Sequence, residues 1–180
     1  KALMHDRPPS FVHRSLSCLV LALWMGLGAD PAAASIRELA VAGSATDQQR
    51  VESAILTNQK MVFVWEDQSG PDSEVRFRFF TPATSQFSAV MTANAVSGGD
   101  QTDPVVTTLA DGGFAIAFAS RPVGGDYDVF FRRFTNAGTP LDATDVAVNI
   151  TTAGHQQHPA LTRLSNSNLV IAFSGPGKDG

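Results

Sequence analysis

One pattern is written three times along this chain, and it limits what the chain can fold into. Gln48, Gln101 and Gln156 each open a copy. Leu56, Leu109 and Leu164 follow at the same distance, then a turn former: Asn58, Asp111 or Asn166. An apolar run ends each time on a large ring, at Trp65, Phe118 and Phe173. The columns align without a gap at offsets of 53 and 55 residues. The second half of the unit repeats as well. Residues 70–81 overlay residues 124–135 with seven of twelve positions identical. A fixed period of about 50 residues belongs to solenoids, propellers and arrays, in which each unit buries its faces against its neighbours.

Past Ser35 no helical period is visible. Short apolar runs alternate with clusters of Gly, Pro, Asn, Asp and Ser, the mark of many short strands. Strands are expected near 60–65, 75–81, 105–109, 114–119, 128–135, 145–151 and 168–173. The second strand of each copy is Met61 to Trp65, Phe114 to Phe118 and Leu169 to Phe173, and it has no polar side. A strand apolar on both faces must be covered on both. Trp65, Phe118 and Phe173 are therefore expected at equivalent core positions between stacked sheets. Four antiparallel strands per copy suit one propeller blade. The fold class expected is all-β: tandem four-stranded antiparallel blades of a β-propeller, about two and a half of them, forming an incomplete ring. Glu38-Leu39-Ala40-Val41 takes the place of a fourth strand ahead of the first full copy. The count is below the roughly four to eight blades of a closed ring, so the reading favours a piece of a longer chain over an assembly of several copies.

The front of the chain has a different character. Arg7, His13 and Arg14 precede an apolar run from Leu16 to Leu27, and Ala32-Ala33-Ala34 follow. A basic start, a short apolar core and a small-residue end describe a secretory signal peptide, with Met4 as its start and a cut between Ala34 and Ser35. The run is shorter than the ~20 residues of a membrane helix. The domains expected are thus 1–34, a helical signal peptide with read-through at 1–3, and 35–180, the repeats, with copies starting near 48, 101 and 156. The exported part would be found in the periplasm, at the cell surface or outside the cell, with no membrane span after cleavage. Cleavage removes three basic and two acidic residues from totals of 13 and 17, leaving a net charge near −5. It also removes Cys18, the sole cysteine, so disulfides play no part. The acidity argues against nucleic acid and anionic membranes as partners.

Several residues invite a chemical reading. Asp72 and Glu74 in the first copy, and Asp126 and Asp128 in the second, put alternate carboxylates in a Gly-containing loop. Such a loop can offer hard oxygen ligands to calcium, although calcium needs about six to eight. The competing reading is an aspartate that caps a turn. Asp100 and Asp103 align with His155 and His158. A His-x-x-His pair fits a transition metal, but the first copy has Asp47 and Arg50 there, and a solvated loop between blades is expected. The repeated glutamines suit a backbone-satisfying role at the blade crossover. Arg78 and Arg132 are expected to pair with the carboxylates of their own blade, such as Asp72 or Asp126. No nucleophile elbow, zinc-protease helix motif or phosphate loop is present. The Ser-x-Asp-x-Gly box of sialidase-type propellers is also absent, and no carboxylate pair stands out as a glycosidase couple.

The string Gly99-Asp100-Gln101, Pro104, Leu109, Asp111-Gly112-Gly113-Phe114, Asp128-Val129, Arg133-Phe134, Gly138, Pro140-Leu141 and Val148-Asn149 carries a resemblance. It is similar to the repeats of large secreted bacterial proteins, the calcium-associated, RTX- and cadherin-accompanied repeat proteins. It departs from them in strand three, which lacks the Gly-rich lead and aromatic-Gln of many family repeats. Asp111-Gly112, Ala117 to Ser120 and Asp128-Val129 also resemble, more weakly, the shorter TolB-like propeller repeat. The resemblance implies a propeller-like fold and an exported, non-catalytic repeat module for adhesion or for binding a protein or carbohydrate ligand, possible calcium stabilisation included. The alternative is the N-terminal part of a secreted propeller enzyme that hydrolyses glycosides or peptides, with its active residues elsewhere. No catalytic residue is assigned on either reading.

Overall fold

The computed structural model describes residues 19–22, 37–42 and 48–176. Its regular structure is all strand, with no helix among the described residues. A short β1 (Leu19–Ala22) pairs antiparallel with β2 (Arg37–Ala40). The first repeat forms β3 (Gln48–Ile55), β4 (Met61–Asp67) and β5 (Glu74–Thr81), with β6 (Gln86–Phe87) and β7 (Met91–Thr92) both laid on β5. The second repeat forms β8 (Asp100–Thr108), β9 (Phe114–Arg121), β10 (Asp128–Phe134) and β11 (Val146–Ala147), in that spatial order. The third repeat forms β12 (Gln157–Arg163) and β13 (Leu169–Ser174). Every pairing is antiparallel and joins strands in chain order, apart from the split outer strand of the first sheet.

The helix expected for the signal segment is not what the described residues show. Leu19–Ala22, the middle of that apolar run, are extended and paired with β2. Periodicity alone cannot separate a short apolar strand from a piece of helix. The expected cut between Ala34 and Ser35 lies outside the described residues.

The turn joining the first two strands is the same in all three copies. Asn58, Asp111 and Asn166 each accept the backbone N–H two residues on, at 3.1, 2.9 and 3.1 Å. The next residue, Gln59, Gly112 or Ser167, has positive φ. Asn and Asp fit here because their short side chains hold this bend from within.

The central strands alternate large and small residues between their faces. In β4, Val62 and Val64 look towards the second sheet, while Phe63 and Trp65 look towards Val41 and Ala42. In β9, Phe114, Ile116 and Phe118 meet the first sheet. The intervening Ala115, Ala117 and Ala119 are just as fully buried. One core therefore lies between the first two sheets, with Phe77, Phe79, Phe114 and Phe134 at its centre. Their rings meet edge-on, tilted or stacked at 5.1–5.9 Å, which favours the pairs beyond their area alone. The third sheet departs from expectation. Val170 is 44% exposed and Phe173 40%. The column that is core at Trp65 and Phe118 is half-open at Phe173, because β13 has a strand on one side only among the described residues.

Arg78 and Arg132 also correct an expectation. Neither pairs with Asp72 or Asp126. Arg78 donates from Nη1 to the Val41 carbonyl at 3.0 Å, and Arg132 to the Ala93 carbonyl at 3.1 Å. Each arginine thus ties its sheet to the segment lying just ahead of it. The matching roles of Val41 and Ala93 put residues 39–42 where an outer strand would lie, as the repeat implies.

The outer strands are shorter than the sequence implies. The run expected at 145–151 pairs over β11 and through the Val148 N–H, which donates to the Val129 carbonyl at 2.8 Å, and then Asn149 takes over. Its Oδ1 accepts the Val129 N–H at 2.7 Å, and its amide donates to Asp128 at 2.6 Å and to Gln156 at 3.3 Å. Asn94 does the same for Val75, Glu74 and Gln101 at 3.1, 2.5 and 3.3 Å. Gln101 and Gln156 in turn donate to the carbonyls of Gly99 and Ala153, at 3.3 and 3.1 Å. The repeated glutamine therefore satisfies backbone at the crossover, with a repeated asparagine behind it. Gly99 is part of this crossover. Its φ is 76°, and a Cβ there would lie 1.9 Å from the Arg121 carbonyl oxygen. Gly99→Ala is expected to destabilise by more than about 1 kcal/mol, read as a fall in the urea midpoint at unchanged slope.

Candidate functional site

Sheets pack closest at their first strands: β3 meets β8, and β8 meets β12. The ends of these strands come together where each repeat opens. Each first strand has a register shift there, between Gln49 and Glu52, Thr102 and Val105, and Gln157 and Ala160. A bulge of this kind bends a strand and re-aims a side chain. It also explains why β8 begins at Asp100, earlier than expected. Asp103-Pro104 falls in the irregular stretch, where a missing N–H costs the ladder nothing.

The residues placed at the bulge are Arg50, Asp103 and His158. The sequence points to a solvated loop at the His-x-x-His pair; His155 is exposed outside any strand, and His158, also exposed, falls instead at the start of β12. His158 lies within β12 and bonds through Nδ1 to Asp103 Oδ2 at 2.9 Å. Asp103 is buried and pairs with Arg50 as well. Arg50 also reaches Glu66, which is 3% exposed, with Nε 3.6 Å from its carboxylate. His155 is turned elsewhere. Its Nδ1 lies 3.6 Å from Asp126 and accepts the Tyr127 N–H at 3.2 Å. The two histidines thus serve different carboxylates.

Beside this row opens a polar cleft of about 420 Å³, lined by Arg50, Glu66, Asp72, Asp100 and Tyr127 among others. Asp100 pairs with Arg121 and accepts the Ser73 N–H at 3.4 Å. Burial pushes its carboxyl up, but the Arg121 hydrogen bond, the Ser73 N–H and the charge of Arg121 together hold it below the ordinary value. It is a carboxylate, and so an acceptor. The guanidinium of Arg121 lies over the Tyr127 ring at 4.8 Å. Burial raises the Tyr127 phenol, which stays neutral and able to donate.

The folded value of Asp100 lies below its unfolded one. Its contribution to stability is therefore present above about pH 4 and is lost as pH falls through the lowered value. Asp142 behaves alike, held down chiefly by its hydrogen bond from Arg133. Acid unfolding followed by circular dichroism is expected to show a shallower loss in Asp100→Asn than in wild type. Superimposable acid limbs would remove this ion pair from the account.

The four residues considered for calcium are positioned as follows. Glu74 and Asp128 accept from the amides of Asn94 and Asn149. Asp126 accepts the Gly154 N–H at 2.9 Å. Asp72 lines the cleft. Among the described residues, no three His, Cys, Asp or Glu side chains gather as a metal site. The alignment of Arg50, Asp103 and His158 was legible in the repeat, but their contact was not, because the three share no chemistry. The signal available was the fixed spacing from the repeated glutamine.

No family model and no curated protein matches the chain. Among solved structures it is similar to a thermostable family-43 glycoside hydrolase, at 9% identity and TM-score 0.51, over 78% of this chain and 53% of that one. It is also similar to an endo-arabinase from Bacteroides thetaiotaomicron, at 13% identity and TM-score 0.49, over 80% of this chain and 55% of that one. The chain spans about half the length of each. At such identity the likeness to the first speaks for the fold alone, and with the sheets above it gives an all-β, propeller-like arrangement.

Proposed function

We propose that this chain is an exported, non-catalytic binding module, and that the cleft between its first two sheets takes an oligosaccharide. The observation that carries this is the cleft's lining. Asp72, Asp100 and Glu66 are acceptors for hydroxyl groups, and Tyr127 adds an aromatic ring beside them. A few polar groups that fix orientation around a ring are what a hydroxyl-rich ligand requires. Calorimetric titration of arabino-, xylo- and galacturono-oligosaccharides tests it. Binding is expected in at least one series, with Asp100→Asn and Tyr127→Ala each weakening it about tenfold, the worth of one lost hydrogen bond or ring contact. No heat with any series at millimolar ligand would overturn the reading.

A glycoside hydrolase is the second reading, favoured by the fold it shares with a family-43 enzyme. Such an enzyme needs one carboxyl kept protonated as acid and a second as base or nucleophile. Here Asp100 is held ionised, and Glu66 and Asp103 share one guanidinium. That arrangement suits binding better than proton donation. Release of reducing sugar, abolished by Glu66→Gln, would decide for the enzyme. Chelation tests the acidic loops separately: a fall in Tm that Asp126→Asn with Asp128→Asn reduces assigns calcium to the loops of Asp72, Glu74, Asp126 and Asp128, and no change leaves them as turn and cleft residues.

A further inference from the structure

Neighbouring sheets in this chain are tied by an arginine of one and a carbonyl of the segment ahead of it. Asn94 accepts the Val75 N–H in place of the backbone, which leaves the Ala93 carbonyl out of its own ladder. Arg132 of the second sheet takes that carbonyl, as Arg78 of the first sheet takes the Val41 carbonyl. Asn149 sets up the same contact again. It accepts the Val129 N–H, and the Val148 carbonyl is left out of the ladder. Among the described residues no donor reaches the Val148 carbonyl. A backbone carbonyl is a strong acceptor, and this one has the place of two that are taken by arginine.

The ground beside it has the form of a missing strand. A groove of about 560 Å³ lies between Val148, Asn149 and Ile150 of the second sheet and Phe173 of the third. Ile150 is fully exposed in it. β13 pairs with β12 on one edge, and no described residue pairs with the other. In the first two sheets that edge holds β5 and β10. Their registers agree. Arg78 stands opposite Phe63 and Arg132 opposite Ile116, while Arg76 stands opposite Trp65 and Phe130 opposite Phe118. The matching columns of β13 are Ile171 and Phe173. Phe118 is fully buried with Phe130 stacked on it, and Phe173 has no such cover. β5 and β10 also share a pattern: an acid, Val, any residue, Phe, Arg, any residue, Phe, at residues 74–80 and 128–134.

We propose that this groove and the free edge of β13 dock a β strand of a partner polypeptide, and that the strand carries this pattern. Its arginine stands opposite Ile171 and donates to the Val148 carbonyl. The residue two before the arginine covers Phe173. An extended peptide added to a sheet edge takes affinity from main-chain hydrogen bonds and specificity from alternate side chains. Here the arginine sets the specificity, because only a long donor reaches from one sheet to a carbonyl of the next. The groove shares no lining residue with the polar cleft, so this inference does not depend on the carbohydrate reading.

The probe is a synthetic peptide with the sequence of residues 124–135, and the control is the same peptide with Arg132→Gln. Each is titrated into the ¹⁵N-labelled full chain. Shifts are expected at residues 148–151 and 169–174, with the arginine peptide binding about tenfold tighter, the difference that one charge-assisted bond makes. A change in the peptide cannot unfold the chain, so the comparison reads recognition alone. Ile150→Ser in the chain, at a fully exposed position, is expected to weaken both peptides alike. Equal binding of the two peptides overturns the inference, as do shifts confined to other faces or a silent titration at millimolar peptide. Self-association of the chain that Ile150→Ser abolishes, without peptide binding, gives the face to a second copy and overturns it too.

Discussion

Replacing Phe118 with alanine will cost about 3–5 kcal/mol, and the same change at Phe173 less than half as much. Phe118 is fully buried on the face of β9 that packs against the first sheet. It stacks on Phe130 at 6.5 Å, and its neighbours Phe114 and Ile116 belong to the same core. Rigid sheets on both sides leave little room to collapse into the vacated space, so transfer and cavity costs add. Phe173 stands in the same column of the repeat but is 40% exposed. The pair therefore separates pattern from packing. Chemical denaturation of the two variants gives the answer in the midpoint. Equal costs would mean that the exposed face of β13 is covered in solution.

Asn94→Ala will cost about 2–4 kcal/mol, although it removes only an amide. Asn94 is 6% exposed and satisfies four groups at once. It accepts from the Val75 N–H, and it donates to Glu74, to the Val96 carbonyl at 2.9 Å and to Gln101 Oε1. Val75 and Gln101 are fully buried, so water cannot replace the lost partner. A buried polar group left unpaired costs about 1–3 kcal/mol, and here two are left together. Asn94→Asp should be no better, because it keeps the acceptor but sets a like charge against Glu74 and a second acceptor against Gln101 Oε1. A variant that melts with wild type would show that the asparagine is incidental. The half-exposed Asn149 has the same partners in the second sheet and should cost less.

These two residues mark what the sequence could and could not tell. The apolar columns are legible because burial is periodic, and β4, β5, β9 and β10 fall where the runs of Met61, Val75, Phe114 and Asp128 put them. Ends of strands are not legible in that way. Asn149 ends a strand by substituting its side chain for the ladder, and nothing in the alternation of apolar residues announces it. Arg78 and Arg132 repeat visibly, but their partners are carbonyls of the preceding segment, which a search among carboxylates cannot reach. In the bulge row the alignment was legible and the contact was not. Arg50, Asp103 and His158 share a backbone angle and a place in the fold, and a residue-type search cannot find a shared angle.

The central claim is that the opening of each repeat delivers its side chains to one binding site beside the first strands. Amide chemical shifts of a ¹⁵N-labelled chain, followed while an oligosaccharide is titrated in, test it most directly. The account predicts that shifts concentrate at Gln49–Val51, Asp100–Asp103, Tyr127 and Gln157–His158, while the outer turns at Thr81–Gln86 and Thr135–Pro140 stay still. Shifts gathered at those outer turns, or spread evenly over the strands, would contradict it.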